Sequence, residues 1–339
     1  MSIKNKWQIR SVLAAGKSAL PFKSMLRSLN RRAGGGRHWP EEGRVYVGPF
    51  QHLELLQKAG LRLRGRQVLE IGTGSEPILL LVMRLAGAKR VYLTDVEPLL
   101  DKGTLLAAVD FLLGRKHDVA ERLGVSTRYV ERRLAVDRAG SLPELLAALE
   151  LDYVVPFEPG EYDIEVACIV SHRTLEHIPA GRLARILADC HSILEDDGVM
   201  SHGVDHSDHR VRHDKSLSRI DFLKYNDTVW NLLSLGAYTN RLRHRDYAEM
   251  LEASGYEICS ERRLVDPQCV ADAKRLALKG RFEAMDREDL ATLWSFIVAR
   301  PRGRARRGAG LPQRPPSERA TALTAGRPAR PHLGAKRAG

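Results

Sequence analysis

Cysteine is scarce in this 339-residue sequence: Cys168, Cys190, Cys259 and Cys269 are the full set. No two are spaced Cys-x-x-Cys, which excludes a zinc ribbon or a redox dithiol of the usual kind. Four in so long a chain do not make a disulfide framework, so a reducing, cytoplasmic compartment is expected. No apolar run approaches the roughly 20 residues that span a bilayer. The basic start lacks the unbroken apolar stretch of a secretory signal, because Gly16 and Lys17 interrupt Ser11–Leu20. There is no Gly-x-x-x-x-Gly-Lys-Ser/Thr loop, which argues against a nucleoside triphosphatase. Internal repeats are absent as well.

Acidic residues are nearly missing from the two ends. Residues 1–39 carry nine Lys/Arg and no acid, and residues 300–339 carry eleven and one Glu. That leaves 34 basic and 41 acidic residues in between, so the net charge of +12 belongs to the ends and the body is mildly acidic. The segment 301–339 is Arg, Pro, Gly and Ala with few large apolar residues, the composition of a disordered basic tail. A solvated tail and a loose contact with RNA, phospholipid or an acidic partner both fit it. Residues 1–44 show partly helical apolar spacing between Lys and Arg, split by Pro21. A helical lid over the body is expected there, with docking to a membrane surface as the alternative.

What the middle does have is alternation. Phe50–Ala59 reads as a helix, Gln67–Ile71 as a strand, Pro77–Ala86 as a helix and Val91–Thr94 as a strand. Residues 99–150 are mostly helical, followed by strands at Tyr153–Pro156 and Asp163–Val170, a helix over Ala180–Leu194 and a strand at Val199–Val204. A helix follows at Asp246–Ser254, and a last strand fits Leu293–Ala299. Strands alternating with helices predict an α/β fold, a doubly wound and mostly parallel sheet, over residues 45–300. Helical insertions are expected at about 99–150 and 210–250.

Val68-Leu69-Glu70-Ile71-Gly72-Thr73-Gly74-Ser75 is a strand running into a glycine turn that opens a helix. Glycines there let the backbone turn sharply and approach a ligand, and ligands of open α/β sheets lie at the carboxyl ends of the strands. Asp95 ends the next strand about 20 residues on, where a carboxylate accepts ribose hydroxyls. Both features are common to NAD and S-adenosylmethionine (SAM) sites. Two others separate them: Pro77 stands where a dinucleotide fingerprint has its third glycine, and Glu70 suits a cationic ligand and repels a pyrophosphate.

These segments resemble class I SAM-dependent methyltransferases, of the bacterial small-molecule or glycan type. Leu69-Glu70-Ile71-Gly72-Thr73-Gly74 is similar to their first motif and Asp95 to their acidic second one. Tyr162–Val170 with Leu175-Glu176-His177-Ile178 is similar to the fourth-strand region, and Leu183–Val199 to the helix and fifth strand that follow. The likeness covers about residues 50–260 and departs at Glu76, where a third glycine is usual, and in the long connection after Asp95. It implies a Rossmann-like fold and SAM as cofactor. Glu70, Gly72, Thr73 and Gly74 would line its methionyl and ribose part, Asp95 would hold the ribose, Val96 would flank the adenine, and Ser171 would lie near the sulfonium.

For the chemistry, a His beside the acceptor suits proton removal at neutral pH. His202, His206, His209 and His213 cluster after the fifth strand. One of them as general base, oriented by Asp208 or Asp205, a metal site, and plain surface residues are three open readings. Asp208-His209 is the preferred pair, with His177 as a second candidate and no metal assigned. Tyr225, Trp230, Tyr238, Asn240, Arg241, Arg243, His244 and Tyr247 mix aromatic and polar groups as a sugar-like or aromatic acceptor would need, though Trp230 and Leu232–Leu235 also read as packing. The expected acceptor is a small-molecule hydroxyl. Residues 118–134 resemble a helix-turn-helix, so the rival reading is a DNA- or RNA-binding regulator that uses this segment and the basic ends.

Overall fold

The structure, a computed structural model, describes residues 44–212, 214–234 and 239–303. The expected lid, the tail from residue 304, His213 and Tyr238 lie outside them. Seven strands form one sheet in the order β3-β2-β1-β4-β5-β7-β6. They are β1 Gln67–Ile71, β2 Arg90–Thr94, β3 Leu151–Val154, β4 Val166–His172, β5 Leu194–Asp205, β6 Tyr256–Val265 and β7 Thr292–Pro301. β1 to β5 pair in parallel, and β7 runs antiparallel to both of its neighbours. This is a Rossmann-like, doubly wound sheet, parallel except for β7, as the alternation of strands and helices predicts.

Alternation along the central strands explains the layers. Val68 and Val170 face one apolar core, which also holds helices α1 (Arg44–Lys58) and α2 (Ile78–Leu85). Leu69, Ile71 and Ile169 face the other, which holds the helix Ala180–Asp189. Strands buried on both faces read as unbroken apolar runs, as β4 does with Val166-Ala167-Cys168-Ile169-Val170, all fully buried. A third, smaller core joins Ile220, Phe222 and Trp230 to Cys269, Phe282 and Leu290, so the two segments beside β6 fold on each other.

β6 was not anticipated. Its sequence, YEICSERRLV, carries Glu257, Glu261, Arg262 and Arg263 on a sheet edge, where charged side chains discourage pairing with another chain. They also mask the apolar alternation that marks a strand. The 210–250 region is less helical than expected: its regular helices are Asp227–Leu233 and the start of His244–Ala253. β7 runs to Pro301, just past the expected domain end.

The connection from β2 to β3 contains four helices. Lys116–Leu123 and Thr127–Arg133, joined by Gly124 at φ +63°, do form the pair that resembled a helix-turn-helix. Val119, Ala120 and Val130 are buried in the main core, so the pair serves as a packed crossover. All four cysteines are free thiols. Among the described residues no helix is long and apolar enough to cross a membrane.

Candidate active site

β1 ends in the glycine turn, and the turn's geometry follows from its sequence. Gly72 has φ +75° and Gly74 φ +64°, a region that costs other L-residues about 1–2 kcal/mol. A Cβ on Gly72 would fall 2.2 Å from Thr174 Cγ2, whereas one on Gly74 would meet nothing within 4 Å. The backbone amides of Gly72 and Thr73 both donate to Thr94 O, at 3.0 and 2.9 Å, which folds the turn back over the end of β2. Thr174 Oγ1 donates to Gly72 O at 3.0 Å and ties the turn to the end of β4.

These elements enclose a cleft of about 280 Å³ at the carboxyl edge of the sheet. Glu70, Gly72, Thr73 and Gly74 line it on one side and His172, Arg173 and Thr174 on the other. Glu70 is 3% exposed, and its Oε2 makes no hydrogen bond among the described residues. Burial pushes its carboxyl up to about 8, the charges of Asp95 and Glu76 reinforce this, and the nearby Thr73 hydroxyl opposes it. Asp95 stands just past β2, half-buried, with Oδ2 accepting from the Gly74 amide at 2.9 Å and Oδ1 from the Val96 amide at 2.7 Å. Oδ1 accepts from the Glu97 amide too, at 3.4 Å, and Oδ2 keeps a further lone pair. Val96 beside it is 53% exposed.

Asp95 and Val96 are not among the residues that line this cleft, and two more expected residues are held elsewhere. Ser171 does not line the cleft: β4 extends two residues past Val170, so Ser171 is a buried strand residue, its Oγ 2.8 Å from His202 Nδ1. Nor does Asp208 orient His209. It is fully buried and holds Arg210, with Nη2 to Oδ2 at 2.6 Å and Nε bonding to both oxygens. The partner of His209 is Asp205, at 3.5 Å from Nε2 to Oδ2. Burial works against the Asp205 charge, yet His209 and Ser207 hold its carboxyl well below the usual range.

The histidine cluster separates for the same strand-geometry reason. His202 is buried on β5, and burial lowers it to about 4. His206 is buried too, with Nε2 2.8 Å from Ser295 Oγ and Nδ1 3.2 Å from Leu242 O. His209, only partly buried, meets exposed His177 from the turn after β4, with ring centroids 5.2 Å apart. Glu176, not singled out as a chemical group in the sequence, is buried beside them. His172 was missed as well: it lines the cleft, with Nδ1 3.1 Å from buried His52 Nε2.

Most of the aromatic and polar residues expected to face an acceptor are framework. Trp230 Nε1 donates to Thr239 O at 2.8 Å. Arg241 Nη1 donates to Phe222 O and Tyr225 O, at 3.0 and 2.6 Å. Arg243, fully buried, donates to the carbonyls of His206, Leu290 and Thr292, which ties the exit of β5 to the start of β7. Tyr247 Oη donates to Asn240 Oδ1 at 3.0 Å, and Asn240 Nδ2 donates to Leu175 O and Ile178 O, both at 2.8 Å. Asn240 thereby fixes the turn that carries Glu176 and His177.

A family model described as a methyltransferase domain matches residues 50–261. No curated protein matches the chain. Among solved structures it is similar to a candidate O-methyltransferase from Nostoc punctiforme, at 12% identity and TM-score 0.38, covering 75% of this chain. The chain spans about half the length of that protein, 55%. It is also similar to the magnesium protoporphyrin IX methyltransferase of Synechocystis, solved with bound SAH (14%, TM-score 0.40, 82% of this chain and 95% of that one). A third is a SAM-dependent methyltransferase from Clostridium acetobutylicum (9%, TM-score 0.40, 76% and 92%). Likeness at this level does not bear on the acceptor.

Proposed function

The chain belongs to the methyltransferase-domain family of class I, SAM-dependent enzymes, and from that premise we propose that it methylates a hydroxyl of a small molecule, with SAM seated on the glycine turn and the acceptor over the ends of β4 and β5. The observation that carries the placement of SAM is Glu70. A buried carboxylate whose Oε2 has no hydrogen bond, opening on a cleft with room beyond Gly74, fits the ammonium of the methionyl part. Asp95, with a lone pair to spare on Oδ2, fits a ribose hydroxyl. Exposed Val96 gives the adenine an apolar face.

Bound SAM supplies an electrophilic methyl on a sulfonium that leaves as a neutral thioether. The chain's own part is alignment and removal of the acceptor's proton. His209 accepts that proton in this reading, and ionised Asp205 beside it stabilises the imidazolium. His177, on the facing turn, is placed to contact the same acceptor. The acid-rich wall at Glu70 is unsuited to a pyrophosphate, so a dinucleotide cofactor does not fit. Nothing in the family match supports the nucleic-acid reading of residues 118–134.

Calorimetric titration of the full chain with SAM, with S-adenosylhomocysteine and with NAD tests the proposal. Micromolar binding of the two sulfur nucleotides and none of NAD is expected. Absence of binding by either sulfur nucleotide would overturn the placement of SAM.

A further inference from the structure

The turns after β4 and β5 meet in a group of side chains that methyl transfer alone does not require. Glu176, His177 and His209 each bring one donor atom to within 4.8 Å of the others. Glu176 is 3% exposed, and neither of its carboxylate oxygens makes a hydrogen bond among the described residues. Arg173 influences its charge but forms no ion pair with it. Burying a carboxylate without a partner costs several kcal/mol, and a cation bound between the two turns would offset that cost.

We propose that Glu176, His177 and His209 form a binding site for one divalent first-row transition ion of the Zn²⁺ type, next to the cleft at its acceptor end. The donor set decides the ion. Two imidazoles and one carboxylate match the three-ligand, open-position sites of zinc and its neighbours. Mg²⁺ and Ca²⁺ prefer oxygen throughout. Tetrahedral ligands at about 2.0–2.1 Å lie about 3.4 Å from one another, so the three donors, now within 4.8 Å, must draw together on binding.

The surroundings are built to hold such a site. Asn240 clamps the turn carrying Glu176 and His177 through Leu175 O and Ile178 O, and its amide N–H donates to Glu176 O at 2.8 Å. Asp205, its side chain 1% exposed, stands 3.5 Å from His209, the place of a carboxylate that orients a metal-bound imidazole. Thr174, two residues before Glu176, lines the cleft. An ion here would have open positions toward the acceptor, whose oxygen donors would complete its coordination; this last clause rests on the methyltransferase reading. The class of acceptor it favours is one with a hydroxyl next to a second oxygen donor. His209 would then serve as ligand, and the ion would acidify the acceptor hydroxyl.

The untagged full chain, stripped with chelator, is dialysed against Zn²⁺ and its bound metal counted, with a Zn²⁺ titration alongside. One equivalent per chain is expected. Glu176→Gln and His209→Ala should each weaken Zn²⁺ binding at least tenfold, while His117→Ala, at an exposed site, leaves it unchanged. Co²⁺ loading should give visible absorption bands of a nitrogen- and oxygen-ligated ion that His209→Ala abolishes. No stoichiometric uptake, or uptake undiminished in both Glu176→Gln and His209→Ala, overturns the site. SAM titration of the metal-free chain separates the two readings: SAM binding without Zn²⁺ uptake sinks the ion alone, and Zn²⁺ uptake without SAM binding sinks the methyltransferase placement alone.

Discussion

Replacing Glu70 with Gln keeps the side chain's shape and removes a charge that the fold holds away from water. The carboxyl is raised to about 8 from an ordinary value of 4.5. Because the folded state binds this proton more tightly than the unfolded state, stability falls as pH rises from about 4.5 to 8 and levels off above. Each unit of pKa is worth 1.36 kcal/mol. Ionised Glu70 therefore costs the unliganded protein on the order of 4 kcal/mol at pH 8, and under about 1 kcal/mol at pH 5. At roughly 2 °C per kcal/mol for a domain of this size, Glu70→Gln should raise Tm by about 6 °C at pH 8 relative to any offset it shows at pH 5.

The comparison of wild type and variant across pH isolates this group together with its coupling to Asp95 and Glu76. A fixed cost of burying the amide moves the whole curve and leaves its slope intact. Thermal unfolding by circular dichroism from pH 5 to 8.5, without SAM, is the assay. The same variant should bind SAM tenfold or more weakly at pH 7.5, the worth of a charge-assisted hydrogen bond of roughly 1.5–3 kcal/mol. A Tm difference that does not vary with pH would refute the argument that Glu70 carries an uncompensated buried charge. Unchanged SAM affinity would refute its pairing with the ammonium.

Three further outcomes can be checked with the same materials. Asp95→Ala should weaken SAM by at least tenfold in calorimetry while thermal unfolding stays cooperative, since three amide hydrogen bonds of about 1 kcal/mol or less each are lost. His209→Ala should lower kcat with SAM affinity intact, whereas Asp208→Ala should lower stability by about 3 kcal/mol by depriving largely buried Arg210 of its main partner; urea unfolding and turnover distinguish them. Gly72→Ala should destabilise by more than about 3 kcal/mol, because an unfavourable φ combines with a collision against Thr174. Gly74→Ala should cost only about 1 kcal/mol in the fold and show its effect mainly in SAM binding.

The sequence exposed some parts of this molecule and hid others according to how local their causes are. β1, its glycine turn and β2 are legible because strand, turn and helix are written in one 30-residue stretch, each by its own residues. Glu70 could be singled out there because it is the acid at the strand's end. Ser171 and Asp208 were misplaced by a different kind of error. Whether a residue at a strand's end faces a cleft depends on where the strand stops, and β4 continues to His172 through pairing with β5, a contact between residues about 30 apart. Asp208 has a neighbour, Arg210, that claims it at short range, and nothing in an Asp-His pair reveals which way the Asp turns. β6 was hidden by the charges that protect its edge.

Glu176 shows the limit most clearly. In sequence it is one acid in Leu-Glu-His-Ile, and as a turn residue it would ordinarily face water. It is buried because Asn240, 64 positions on, draws the turn against the insertion after β5, and because His209 arrives from the next strand. Each residue alone reads as surface chemistry; the sheet order that sets β4 beside β5 makes them a site.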